Sequence, residues 1–222
     1  MAVQGRRRNA ADGKSREIAA HAVPGAAAQP AVSEELLMQA AIKAFVEKGF
    51  HGTSMRDIAA RAGTSVSHSY YYFPSKQQLL WQIVSRITQE LQESLGKADR
   101  EAGPDPAARL AAIVRAHVLL HTQRQDESFI GNSELRSLRA EDRPKFIEMR
   151  DRVSAIFKGV INDGIEQGVF TCPEPVEVTL AVITMCTAIA GWYRPDGPVS
   201  PQVMANRYAA IALRMAGYRG AA

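Results

Sequence analysis

His117 and His121 stand four residues apart, so on a helix they share one face, and that spacing can hold a zinc ion. No acidic or cysteine partner lies near them in sequence, and the competing reading is a pair that lines a pocket or packs in a core. Two cysteines, Cys172 and Cys186, are too few for a disulfide framework and fit a reducing, cytoplasmic setting. Cys172 has no basic neighbour to make it a reactive thiolate. No nucleophile elbow, phosphate loop or glycine-rich dinucleotide turn occurs. The expectation is therefore a protein that is no enzyme and holds neither metal nor cofactor. What remains is recognition. Ala62-Gly63-Thr64-Ser65 joins two short helical stretches as in a helix-turn-helix, whose second helix would enter the major groove of double-stranded DNA. A plain αα-hairpin within a bundle would carry the same signal.

The elements that must position these residues read as helices throughout. Ser33 is a good N-cap, with Glu34 and Glu35 where the helix dipole favours anions. Leu36, Leu37, Ala40, Ala41, Ala44 and Phe45 form one stripe, and Gly49 stops the helix. Thr53 or Ser54 caps a second helix with Met55, Ile58, Ala59 and Ala62 inside. Ser65 caps a third, Val66 to Tyr72, which Phe73-Pro74 ends. Ser75 caps a fourth carrying Leu79, Leu80, Ile83, Val84, Ile87 and Leu91. A boundary is expected over Gly96 to Pro106. Further helices are expected at 106–123, 127–139, 142–167, 175–193 and 200–216. No alternating strand runs or repeats interrupt this all-α reading.

The order Phe45-Val46-Glu47-Lys48-Gly49-Phe50, Thr53-Ser54-Met55-Arg56-Asp57-Ile58-Ala59, Ala62-Gly63, Tyr70-Tyr71-Tyr72-Phe73-Pro74-Ser75-Lys76 and Leu79-Leu80 closely resembles the DNA-binding domain of TetR-family transcriptional repressors. The resemblance implies roles. Thr53 and Ser54, at the start of the second helix, would hold a phosphate with hydroxyl and backbone N–H groups. Tyr71 and Lys76 match phosphate contacts. Ser65 opens the recognition helix, and Val66, Ser67 and His68 match its base-facing positions. Arg56 is either a further phosphate contact or part of a solvated face. Ser69 stands where an apolar residue is usual, which predicts looser packing under this helix, and Tyr72 stands where His is common. Tyr70 and Phe73 are expected in the core.

The second half carries Glu134-Leu135-Arg136-Ser137-Leu138, Gly164-Ile165-Glu166-Gln167-Gly168-Val169-Phe170 and Trp192-Tyr193-Arg194-Pro195-Asp196-Gly197-Pro198-Val199-Ser200. These resemble the branch of TetR-type repressors that control fatty-acid and sterol catabolism and sense acyl-CoA thioesters. The last run reads as a tight loop between the final two helices. A mostly apolar pocket for a small lipophilic ligand would be lined by His117, His121, Phe129, Asn132, Met149, Phe157, Met185 and Trp192, each of which serves equally as ordinary core. Arg136, Arg139 and Arg150 are candidate partners for CoA phosphates. Leu180, Ile183 and Ala190 on one helix, with Met204, Tyr208, Ile211 and Met215 on the next, would either pack internally or form a homodimer's four-helix bundle. The resemblance favours the homodimer and, by twofold symmetry, a pseudo-palindromic operator.

The domain reading is a disordered basic arm at 1–32, a DNA-binding domain at 33–80, a connecting helix and linker at 81–104, and a ligand-binding and dimerisation domain at 105–217. The 222 residues suffice for this. Net charge is +4 overall, of which 1–32 carries +3 and 33–80 only +1. Arg6, Arg7 and Arg8 could enter a minor groove or belong to an idle tail. Val178 to Tyr193 is the longest apolar run, too short to span a bilayer with ease, and reads as a buried helix, so no membrane partner is expected. No secretory signal is evident. Three functions compete: a repressor sensing an acyl-CoA or related lipophilic carboxylate; one sensing a lipophilic cation through a buried Glu127, Glu134 or Glu148; and a helical enzyme that binds no DNA.

Overall fold

Each of the first four helices begins on a serine in extended backbone whose hydroxyl accepts the N–H three residues on. Ser33 opens α1 (Glu34–Lys48), Ser54 opens α2 (Met55–Arg61), Ser65 opens α3 (Val66–Tyr72) and Ser75 opens α4 (Lys76–Glu101). Gly49 and Gly63 take φ of +71° and +67°, left-handed backbone that turns the chain after α1 and α2. Asp105 accepts from Ala107 and Ala108 N–H and, with Pro106 at the first position, starts α5 (Pro106–Gln123). α6 (Gln125–Ser133), α7 (Arg143–Glu166), α8 (Pro175–Ala188) and α9 (Pro201–Met215) follow. The computed structural model describes residues 33–220, so the arm expected at 1–32 lies outside the described residues. Those described form helices and no strand.

Three expected boundaries move. The helix expected at 127–139 ends at Ser133, and a 3₁₀ turn covers Leu135–Ser137. The chain leaves register at Glu134, whose carboxylate accepts from Phe50 N–H (3.3 Å) and Ser137 O–H (2.6 Å). The helix expected at 175–193 ends at Ala188, followed by a 3₁₀ turn at Ile189–Gly191. There the Gln125 amide donates to the carbonyls of Ala190 (3.0 Å) and Tyr193 (2.7 Å). Nor is the Val178–Tyr193 run a buried helix, since Leu180 and Trp192 within it are more than half exposed. The boundary expected from Gly96 shrinks, because α4 continues to Glu101 with Leu95 fully buried, which offsets the roughly 1 kcal/mol cost of a helical glycine.

The packing makes two cores that share α4. Leu79, Leu80, Ile83 and Val84 join one built from α1, α2 and Phe73, while Ile87, Leu91 and Leu95 join the other with α5, α7, α8 and α9. Ile130, Leu138 and Phe146, from the second half of the chain, complete the first core. Each buried side chain of this size contributes about 1.5–3 kcal/mol, so neither end of α4 leaves its core cheaply. Among the described residues, no helix is long and apolar enough to cross a membrane.

Candidate nucleic-acid interface and ligand cavity

α2 and α3 meet at the Gly63 turn, and α3 presents a polar, uncharged surface. Ser65, Ser67 and His68 are exposed and Val66 is half-buried. Tyr71 is 81% exposed, and the His68 ring stacks near it with centroids 6.4 Å apart. Phe73 is fully buried as expected. Tyr70 is not: it is 47% exposed, because it lies one residue beyond the buried Ser69 on a helix. Ser69 itself leaves no loose end, since its hydroxyl donates to Val66 O at 2.7 Å.

At the start of α2 the two expected phosphate holders separate. Thr53 is 2% exposed, and its hydroxyl donates to Ala44 O (3.1 Å) and Gly49 O (2.9 Å). Its side chain is a clamp on the end of α1 and presents nothing to a phosphate, which corrects the expectation. Ser54 is the exposed N-cap of a reciprocal capping box with Asp57, whose carboxyl these hydrogen bonds hold below the usual carboxylate range. Lys76 is half-buried. Its ammonium donates to Phe50 O (2.7 Å) and Thr53 O (2.6 Å) and sits 4.2 Å from the Phe50 ring centroid. Burial pushes its pKa down. Two of its three donors therefore brace the α1–α2 loop. Nearby cations are likewise engaged, Lys43 with Asp126 and Arg61 with Glu47, while Arg56 is exposed.

A cavity of about 240 Å³ opens between α4 and α8. Ile87, Thr88 and Leu91 of α4 form one wall, and Leu180, Ile183 and Thr187 of α8 another. His117 and His121 of α5 and Ser128 of α6 lie deep, while the exposed Ile147, Arg150 and Asp151 of α7 stand at the mouth. Burial holds the His117 imidazole well below its ordinary value, with His121 beside it adding to the effect. Burial also brings His121 down to about 4, against the raising influence of its bond to His117 O (3.1 Å). Both rings are therefore neutral at pH 7. Among the described residues, no cluster of three His, Cys, Asp or Glu side chains joins them. Burial pushes the Cys186 thiol up to about 12 and raises Cys172.

Of the eight residues expected to line the pocket, only His117 and His121 do. Phe157 packs behind the His117 ring at 5.8 Å, and Asn132 donates to Thr187 O. Phe129 and Trp192 face outward, and Met149 and Met185 stand on helix faces turned from the cavity lining. A helix turns about 100° per residue, so Met149 misses the cavity where Arg150 reaches it. Arg139 instead donates to Ser75 Oγ (3.1 Å), and Arg136 is exposed. The expected dimer set also divides. Ala190 and Met204 are buried within the protomer, so they cannot face a partner. Ile183, Tyr208, Ile211 and Met215 are half-buried, Leu180 is exposed, and Leu180 and Ile183 line the cavity. Glu127, Glu134 and Glu148 are engaged with Arg124, Phe50 N–H and Arg152, and none lines the cavity. Thr88, Ser128 and Thr187 escaped sequence reasoning, since a lone hydroxyl on a helix carries no signal of the face it occupies.

Residues 37–83 match the family model described as bacterial regulatory proteins, tetR family. Residues 103–216 match the tetracyclin repressor-like C-terminal domain. The chain is 25% identical over 194 residues to the HTH-type transcriptional repressor KstR2 of Mycolicibacterium smegmatis, covering 86% of this chain and 93% of that protein. The structure of a tetR-family bacterial regulatory protein from Rhodococcus RHA1 superposes with a TM-score of 0.80 at 27% identity, over 84% of this chain and 98% of that one. AibR, solved in complex with isovaleryl coenzyme A and operator DNA, shares the fold with a TM-score of 0.73 at 22% identity, over 83% and 98% of the two chains. With a helix-turn-helix on one side of α4 and a cavity on the other, and with both halves matched in order, the chain belongs to the TetR family of bacterial transcriptional regulators and is no enzyme.

Proposed function

We propose that the protein is a cytoplasmic homodimeric repressor that binds a pseudo-palindromic operator with α3 and releases it when an acyl-CoA thioester enters the cavity. The observation that carries this reading is the double role of α4. Ile87, Thr88 and Leu91 line the cavity, and Ile83 and Val84, about one turn earlier, pack in the core that holds α2 and α3. A ligand that fits only when α4 moves shifts the spacing of the two recognition helices, because it favours the state in which it binds better.

On DNA, Ser65, Val66, Ser67 and His68 face base edges. Tyr71, Ser54 with the backbone of α2's first turn, and the third donor of Lys76 meet phosphates. Val176 and Leu180 of α8 and Val203 of α9 are exposed apolar residues that a second copy would cover in a four-helix bundle. The acyl group occupies the apolar cavity. The CoA body stays outside, where Arg150 can meet a phosphate. The CoA complex of AibR supports this ligand class. The lipophilic-cation alternative lacks a buried carboxylate in the cavity.

Native mass spectrometry of the purified protein with a panel of CoA thioesters, paired with a gel shift on its operator, tests the reading. One thioester is expected to be retained and to dissolve the DNA complex. Retention of none, or unchanged operator affinity at saturation, would sink it.

A further inference from the structure

The deep end of the cavity is not apolar, and its polar atoms are not all satisfied. His117 is fully buried and Ser128 is 3% exposed, yet His117 Nδ1 and Ser128 Oγ have no hydrogen-bond partner. An unmade bond to a buried polar group is costly, about 1–3 kcal/mol, so such atoms mark a place where a partner is missing. Both residues line the same cavity as His121 and Thr187.

The donor and acceptor roles follow from the neighbours. His121 Nδ1 lies 3.1 Å from His117 O. A carbonyl only accepts, so Nδ1 carries the hydrogen, and in the neutral ring Nε2 is a bare acceptor. His117 Nε2 lies 3.3 Å from Thr187 Oγ1, and no other hydrogen bond of that hydroxyl occurs among the described residues. With the hydroxyl hydrogen directed at Nε2, the His117 hydrogen sits on the unpartnered Nδ1. The rings are adjacent, with centroids 4.4 Å apart. The deep end thus offers a donor at His117, an acceptor at His121, and a hydroxyl at Ser128 that does either. An alcohol matches this set because one oxygen both accepts and donates. A methyl terminus matches none of it.

We infer that the regulatory ligand carries a hydroxyl group at the end of its acyl chain remote from the thioester, and that His117, His121 and Ser128 read it. This rests on the acyl-CoA reading above, with the thioester at the Arg150 mouth and the chain end at the histidines. A saturated acyl chain would fill the same volume but leave the three polar groups unpaired. Discrimination by an unmatched buried polar site is larger than discrimination by chain length alone.

The test is calorimetric titration of the full chain with octanoyl-CoA and with ω-hydroxyoctanoyl-CoA. The hydroxylated thioester is expected to bind about tenfold tighter. Ser128→Ala and His121→Phe should each shrink that ratio toward one. The ratio is read within each variant, so a general loss of folding does not mimic the result. Equal affinity of the two thioesters for the unaltered protein would overturn the inference and leave the acyl-CoA reading standing. Binding of neither would overturn that reading itself.

Discussion

The two ends of α4 sit in environments built on opposite plans. On the DNA-reading side, most polar groups are closed on one another, the exception being Gln77 Oε1 in the first turn of α4, which is buried without a partner. Thr53 clamps α1, Ser54 and Asp57 close a capping box, Ser69 bonds Val66 O, and Lys76 braces two carbonyls. On the cavity side, His117 Nδ1 and Ser128 Oγ are left without partners. A surface that must present fixed groups to DNA gains from rigid, internally satisfied polar atoms. A cavity that responds to a small molecule gains from polar atoms that a ligand can satisfy. The reading side is also nearly neutral, so its affinity for DNA must come from placed groups and helix termini rather than bulk charge.

The sharpest attack on this contrast is to break one core and watch the other. Phe157→Ala removes a fully buried ring from the cavity-side core and should cost about 3–5 kcal/mol in urea unfolding. Because α4 serves both cores, Trp81 fluorescence, read in a Trp192→Phe background so that it reports the reading side, should change in the same transition. Two separate transitions would show that the halves are independent.

Lys76→Met leaves two inward carbonyls without their donor. A loss of about 2–3 kcal/mol is expected, with operator affinity falling in a gel shift. If stability held while DNA binding fell, Lys76 would be a pure phosphate contact and not a brace.

The histidine pair ties the cavity side to pH. His121 has an ordinary value near 6.5 when unfolded and about 4 when folded, so the unfolded chain binds more protons between these values. Its contribution is full above pH 6.5 and is lost as pH falls through that window, about 2 kcal/mol by pH 5. His117 acts in the same direction. Urea midpoints at pH 7 and pH 5 measure this, and His121→Phe should reduce the difference and leave the part due to His117.

Ser54→Ala opens the capping box for about 1 kcal/mol and should weaken operator binding without touching ligand binding. Tyr71→Phe should leave the melting temperature unchanged, since the ring is 81% exposed, and lower operator affinity only a few-fold. A clear loss of stability there would place Tyr71 among the packed residues.

The starts of α1 to α5 and the stops of α1, α2, α3 and α5 were legible because each rests on a few neighbouring residues: a serine or aspartate cap, a glycine with positive φ, Pro106 at a first position. The 3.6-residue stripe of α4 was equally plain. Where the helices break at Glu134 and Ala188 was not, since Glu134 reaches Phe50 and Gln125 reaches Ala190, partners 84 and 65 residues away in sequence. The cavity lining was hardest to read. His117 and His121 announced a shared face, but nothing local tells that Arg150 rather than Met149 meets the cavity, or that Leu180 borders it.

By itself, then, the sequence determined an all-helical chain with a helix-turn-helix at Ala62 to Ser65 and the family motifs around it. Caps, turns and periodicity act within a few residues and need no distant partner. The tertiary structure alone decided that Thr53 and Lys76 face inward and that α4 belongs to two cores. It alone left His117 Nδ1 and Ser128 Oγ without partners at the end of a cavity. Those outcomes depend on which side chains distant segments bring together, and hydrogen-bond satisfaction is a property of the assembled neighbourhood rather than of any one stretch of chain.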